Sequence, residues 1–243
     1  MGARVSRGAW WSRGRPGKWS VWKFNWLANH KVIRALERAR PYASGTLLDV
    51  GCGSKPFAPV LEDRLTRYLG IDLPDSRFLG DGAPDRRPDV HGRGEALPFR
   101  EGSFDTVLGL SMLTCLPEPQ NLLDEARRVL RPEGTLILEF TQTAPLHDEP
   151  HDYFRFTRYG ATWLLQRAGF EPLRVFPIGG LWSRVGLSSI AVLNRLNRGP
   201  TRVLTELPVR LLYVALQLLF ELLDRLFFDP REVLAHLVVA RRR

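Results

Sequence analysis

The segment Leu47-Leu48-Asp49-Val50-Gly51-Cys52-Gly53-Ser54 carries an apolar run into a turn with two glycines, and Asp72 follows Gly53 by 19 residues. Glycine lets backbone approach a ligand closely and permits positive φ. An acid at the end of the next strand can accept both ribose hydroxyl hydrogens of a nucleoside. A nicotinamide dinucleotide would want a third glycine where Pro56 stands, so the turn suits a nucleoside ligand without phosphates. A second cluster lies in residues 142–157, with His147, Asp148, Glu149, His151, Asp152, Tyr153 and Arg155, and Tyr159 just beyond. Imidazole titrates near neutrality and suits proton removal. His147, His151 and Arg155 are therefore the candidate catalytic residues. The competing reading is a solvated loop in which Arg155 and Asp152 form a structural salt bridge. Cys52 and Cys115 are the two cysteines, with no metal-ligand spacing, so no metal site is expected.

These residues need elements to hold them. Thr46–Val50 reads as a short strand, Pro56–Leu65 as a helix and Arg67–Ile71 as a second strand ending at Asp72. A short strand near Asp89–Val90, a strand Phe104–Leu110, a helix Glu118–Leu130 and a buried strand Thr135–Phe140 follow. Arg158–Ala168 reads as a helix stopped by Gly169, and Glu171–Phe176 and His236–Ala240 as the last strands. Such alternation argues a parallel, doubly wound α/β sheet. Ligands of these sheets bind at the carboxyl ends of the strands, where the glycine turn, Asp72 and residues 142–157 all fall. Before the sheet, residues 20–40 read as a helix with Trp22, Trp26, Ile33 and Leu36 near one face, interrupted by Asn29.

The chain has 243 residues, 44% hydrophobic and 25% charged, which excludes wholesale disorder, a fibre and a polytopic membrane protein. Few cysteines and no N-terminal apolar leader point to a reducing cytoplasm. The net charge of +9 is concentrated in residues 1–40, which hold ten Lys/Arg and one acid, Glu37. Trp10, Trp11, Trp19, Trp22 and Trp26 share that segment. Basic residues interleaved with Trp suit an anionic membrane interface. They also suit single-stranded nucleic acid or an arm whose aromatics pack on the domain. The preference for Arg over Lys suggests a GC-rich bacterial genome.

Taken in order, these segments resemble the class I S-adenosylmethionine-dependent methyltransferases. Leu48-Asp49-Val50-Gly51-Cys52-Gly53 resembles their first motif and Gly70-Ile71-Asp72 their second. Glu95-Ala96-Leu97-Pro98-Phe99 with Gly102-Ser103-Phe104-Asp105 resembles the approach to their fourth strand, and Ala126–Leu136 the helix and turn before their fifth. The resemblance implies a Rossmann-like sheet, mostly parallel with the last strand antiparallel, and S-adenosyl-L-methionine as cofactor. It implies cofactor contacts from Asp49, Gly51, Cys52, Gly53, Asp72, Leu73, Gly94, Glu95, Ala96 and Ser111. Two positions depart from the family. Arg93 stands where many relatives place an acid that meets the adenine amino group, and Cys115 where the family commonly has His. Gly53-Ser54-Lys55-Pro56-Phe57 and Leu146–Thr157 narrow the resemblance to a bacterial subgroup with apolar helices between its last two strands. Its acceptors include surface-glycan or lipid association in some cases. No Asn/Asp-Pro-Pro-aromatic run follows the fourth strand, where Gly109-Leu110-Ser111-Met112 stands. That argues against methylation of a base exocyclic amine, and nucleic acid is not expected as a partner.

Residues 1–40 thus read as a basic Trp-rich arm and helix, and 41–243 as the methyltransferase domain with an apolar helical insert at about 179–230. Within Val209–Phe228 the polar residues Arg210, Gln217, Glu221, Asp224 and Arg225 share one helical face. The uninterrupted run Leu211–Leu216 is too short for a membrane span. An interfacial helix is expected, with Leu212, Leu219 and Phe220 inserted and Arg184, Arg195, Arg198 and Arg202 adding positive charge. A homodimer interface and a cap on the acceptor pocket are the competing roles. The expected activity is methyl transfer to a small-molecule or lipid- or glycan-linked acceptor, on the inner face of the cytoplasmic membrane. The alternatives are an RNA methyltransferase using the arm and an inactive membrane-associated partner protein.

Overall fold

Near-continuous apolar runs can be buried on both faces only in the middle of a parallel sheet, and here they order the architecture. The computed structural model describes residues 20–23, 25–74, 87–146, 148–197 and 202–243. Seven strands form one sheet: β1 Gly45–Val50, β2 Leu65–Asp72, β3 Val90–His91, β4 Phe104–Leu110, β5 Leu130–Thr141, β6 Phe170–Ile178 and β7 Ala235–Arg242, in the order β3-β2-β1-β4-β5-β7-β6. The pairs β1/β2, β1/β4, β2/β3 and β4/β5 are parallel, and β7 runs antiparallel to β5. This is the expected Rossmann-like arrangement. The order reverses between β1 and β4, where an open sheet of this kind takes its ligand.

The helices are α1 Trp26–Ala39, α2 Ala58–Leu61, α3 Pro119–Val129, α4 Arg158–Arg167, α5 Leu181–Leu196 and α6 Arg202–Leu226. On one face of the sheet Leu48, Val50, Val107, Leu136, Leu138, Phe140 and Val238 pack with Leu122, Leu123, Ala126 and Val129 of α3 and Ala161 and Leu165 of α4. Side chains of α3 recur at helical spacing, and those of β5 at every second residue, as two packed surfaces require. The helix expected over Pro56–Leu65 is much shorter than its sequence pattern. Pro56 and Pro59 together remove two N–H donors, Lys55 takes φ 49°, and only Ala58–Leu61 winds as α-helix before a 3-10 turn at Glu62–Arg64.

The described chain forms two compact units. Leu36–Phe176 with Ala235–Arg243 makes the sheet unit, and the described residues up to Ala35 with Pro177–Leu234 make a helical unit. Of the face expected for the first helix, Ile33 and Leu36 are buried and Trp22 is exposed, and Leu27 is buried as well. Trp26 stacks on His30, with ring centroids 4.8 Å apart.

The face of α6 is reversed from the sequence expectation. Of the expected stripe, Gln217, Glu221 and Asp224 are buried while Arg210 and Arg225 stay exposed, and Leu211, Leu212, Leu218, Leu219, Leu222 and Leu226 are exposed. An interfacial helix would leave its polar stripe to water. Here the stripe is the glue of the helical unit. The Gln217 amide accepts from Leu27 N at 3.1 Å and donates to Val21 O at 2.8 Å. The Asp224 carboxylate accepts from Gly180 N, Trp182 N and Ser183 N at 2.9–3.2 Å and so caps the start of α5. Lys31 Nζ lies 2.6 Å from Glu221 and 3.2 Å from Asp224. Burial alone would raise the Glu221 carboxyl, but hydrogen bonds from His30 and Lys31 hold it down to about 2. Phe220, expected to be inserted in lipid, packs inward; a Cβ on Gly186 would stand 2.7 Å from its ring. Among the described residues no helix is long and apolar enough to cross a membrane. The arm residues through Trp19, and Arg198, lie outside the described residues.

Candidate active site

The glycine turn leaves β1 at the point where the strand order reverses. Gly51 and Gly53 have φ of 71° and 50°. A side chain at Gly51 is disfavoured by that φ and would require Met112 to move aside. Gly51 N and Cys52 N both donate to Ile71 O, which ties the turn to the end of β2. There Asp72 answers it: Oδ2 accepts from Gly53 N at 2.6 Å and Oδ1 from Leu73 N at 2.7 Å. Each oxygen of an ionised carboxylate keeps a further lone pair, so two ribose hydroxyls can still be accepted.

Behind the turn, Asp49 is buried and takes a hydrogen bond from the Tyr68 hydroxyl. Burial raises the Asp49 carboxyl to about 7, Tyr68 pulls it down and neighbouring Asp72 pushes it up. Cys52 is buried, and its thiol is pushed well up by that burial and by Asp49 and Asp72. It fills space rather than reacting. Lys55 Nζ reaches Asp89 Oδ2 at 2.6 Å, and the same oxygen accepts from Gly70 N at 2.7 Å.

On the adenine side, Gly94 sits where a Cβ would press Leu122 at 3.0 Å and Val50 at 3.1 Å. Arg93 and Ala96 form a small bridge around it. The Arg93 side chain points to solvent, 3.9 Å from Glu95. Leu73 is an exposed apolar side chain beside Asp72. The glycine turn, Asp72 and the bridge around Gly94 fit an adenosyl ligand.

Beyond β4 and β5 the chain builds a second cluster. Ser111 has φ 58°, an uncommon conformation for a residue with a side chain. Its Oγ donates to Glu139 Oε2 at 2.7 Å, and Glu139 is buried. Sequence reasoning missed Glu139. The signal was present as one carboxylate inside the apolar run Thr135–Phe140. The loop after β5 is stitched to the turn after β4, because Tyr153 N and Phe154 N donate to Thr114 O. Cys115 Sγ lies 3.5 Å from Asp148 Oδ2 and 3.4 Å from Ser111 O. Burial, followed by Asp148, raises the thiol.

The catalytic candidates separate here. Arg155 donates to both Asp152 oxygens at 2.6 and 2.8 Å, and to Ala144 O, Pro145 O and Phe154 O. All five guanidinium N–H groups are thereby engaged. Arg155 thus ties the loop together through Asp152 and three carbonyls, with the ion pair that one of the two readings expects. His151 is exposed, with Nδ1 3.3 Å from the Tyr153 hydroxyl. His147 lies outside the described residues. Among them no group of His, Cys, Asp or Glu could hold a metal ion.

Comparison with known proteins follows the same residues. Residues 48–138 match the family model of a methyltransferase domain. An uncharacterized methyltransferase of Mycobacterium leprae is 33% identical over 120 residues, which cover 48% of this chain and 41% of that protein. A Mycolicibacterium smegmatis protein named as an S-adenosylmethionine-dependent methyltransferase is 30% identical over 166 residues, or 64% of each chain. The chain thus spans about two fifths to two thirds of the relatives it matches. Among solved structures, Haemonchus contortus phosphoethanolamine N-methyltransferase 2 in complex with S-adenosyl-L-methionine aligns with a TM-score of 0.57. Its sequence identity is 15%, over 91% of this chain and 56% of that one. At that identity the likeness is one of fold.

Proposed function

We propose, for a chain that carries a class I S-adenosylmethionine-dependent methyltransferase domain, that it transfers a methyl group from S-adenosylmethionine to a small-molecule or lipid- or glycan-linked acceptor at a membrane surface. The observation that carries the cofactor assignment is Asp72, held by Gly53 N and Leu73 N with a free lone pair on each oxygen. The cofactor, when bound, supplies an already activated methyl donor. Gly51 and Gly53 admit it close to the backbone, Asp72 holds the ribose, and Gly94 and Glu95 line the adenine side.

The remaining work is alignment of the acceptor and exclusion of water. The loop after β5, braced by Arg155, serves that end. Where the acceptor is a hydroxyl, its proton must leave, and His151 and the Ser111–Glu139 pair are the groups suited to receive it. The membrane part of the reading rests on the outward Leu face of α6. A few inserted side chains at about 0.8 kcal/mol per buried CH₂ suffice for reversible attachment.

Calorimetry with S-adenosylmethionine and S-adenosylhomocysteine tests the cofactor. Labelled-methyl transfer onto fractionated lipid and polar extracts of the native host then tests the acceptor. Label in a lipid fraction supports the proposal. A folded chain that binds neither cofactor form overturns it. Vesicle flotation tests the membrane reading separately: Leu212, Leu219 and Leu222 changed together to Ser should release the protein.

A further inference from the structure

The sheet unit carries its own band of large exposed side chains beside the acceptor loop. Leu146, Tyr153 and Phe154 lie on the loop, and Tyr159 and Trp163 on the helix that it enters. Tyr159, Trp163 and Arg167 are spaced four residues apart, so they stand in a row along α4. The two α4 aromatics are 70% and 57% exposed. Arg158 lies over the Tyr159 ring at 4.7 Å and Arg167 over the Trp163 ring at 5.5 Å. The helix contains no acid, and neither arginine makes an ion pair with a described residue.

The geometry points to this band as a lipid-facing surface that seats the acceptor loop on an anionic phospholipid layer. Tyr and Trp favour the headgroup level, where one end of each ring meets hydrocarbon and the other meets water. Guanidinium groups stacked on those rings can remain there and pair with phosphate. Leu146 and Phe154 add purely apolar surface, which such a layer buries. Single-stranded nucleic acid fits less well, because Leu146 adds apolar surface that offers a base no stacking face, and Arg158 and Arg167 already take one face of each α4 ring. A second copy fits less well too, because the band would bring like charges together with no acid on α4 to offset them. The inference rests on the proposed membrane function and deepens it. If the loop itself meets lipid, the acceptor is an amphiphile drawn from the layer.

The test uses the full chain with vesicles of phosphatidylglycerol and phosphatidylcholine, with and without brominated acyl chains. Subtracting the emission of Trp163→Phe from that of the parent isolates Trp163. Its emission should move to shorter wavelength on vesicles and be quenched by brominated lipid. Tyr159 and Trp163 changed together to Ser should lower vesicle affinity roughly tenfold. Protein that floats while Trp163 stays silent overturns this inference and leaves the α6 reading standing. Protein that does not float with anionic vesicles at low salt overturns both. A Trp163 response to a single-stranded oligoribonucleotide, and not to vesicles, overturns it in favour of nucleic acid.

Discussion

Replacing Asp72 with Asn isolates one carboxylate oxygen without changing the size of the side chain. In the native turn Oδ2 faces Gly53 N at 2.6 Å and Oδ1 faces Leu73 N at 2.7 Å. An amide has one oxygen, so in either orientation its NH₂ must confront one of these two N–H donors. The lone pair that would have accepted a ribose hydroxyl is lost on that side. A hydrogen bond to a charged group contributes about 1.5–3 kcal/mol, which is roughly 10- to 150-fold in Kd. Calorimetry should therefore find S-adenosylmethionine and S-adenosylhomocysteine weakened alike, because the ribose is common to both. Far-UV circular dichroism should be unchanged. Unaltered affinity in a folded Asp72→Asn chain would refute the assignment. So would a loss confined to the sulfonium form, which would mean that Asp72 acts as a distant charge.

Three further outcomes follow. Asp49, held at about 7 by burial, carries a proton in the folded chain that the unfolded chain has released between about pH 4 and 7. Its contribution to stability must fall as pH rises through that window, by up to roughly 1.4 kcal/mol per pH unit; thermal melts of Asp49→Asn should show a flatter profile, and an identical slope would discount this group. Arg155→Ala removes both guanidinium hydrogen bonds to the buried Asp152 carboxylate and should cost about 1.5–3 kcal/mol of stability, whereas His151→Ala at an exposed site should stay within about 0.5 kcal/mol; a normal melt for Arg155→Ala, with turnover alone depressed, would restore it as a catalytic residue. Asp224→Ala should destabilise the chain by about 2–3 kcal/mol, because it removes the acceptor of three N–H groups at the start of α5 and one of the two carboxylates that Lys31 meets; denaturant titration that finds it neutral would return the polar stripe of α6 to solvent.

What could be read in the sequence was whatever depends on local chemistry. The strands of the sheet follow from continuous apolar runs, and the ligand turn follows from Gly51, Gly53 and Asp72, because close approach and charge are properties of residue type and spacing. Long-range partners left a weaker trace. Nothing local to Arg155 says that its five donors close on Asp152 and three carbonyls, so its charge reads equally well as catalysis or as bracing. Nothing local to Glu139 says that Ser111 waits across the β4/β5 pair, although a carboxylate within an apolar strand is anomalous enough to mark the position. The shortened helix at Ala58–Leu61 is the opposite case, since Pro56 and Pro59 are local and themselves limit it.

The polar stripe of α6 shows most sharply where such reading ends. Periodicity places Gln217, Glu221 and Asp224 on one face, and they do share it. The same periodicity is blind to direction. A narrow polar stripe against a broad apolar surface reads as a helix lying in an interface, with water on the polar side. What reverses it is residues far away in the chain. Lys31 offers a cation, Leu27 an N–H and Val21 a carbonyl, and the start of α5 a set of N–H groups that need an acceptor. Burying those groups unpaired would cost several kcal/mol in total, so the stripe turns inward and the Leu face is left outside. An exposed apolar face of that breadth needs something to cover it. The inward turn of Gln217, Glu221 and Asp224 is thus what leaves the outer face of α6 rich in Leu, and it is on that face that the proposed membrane contact rests.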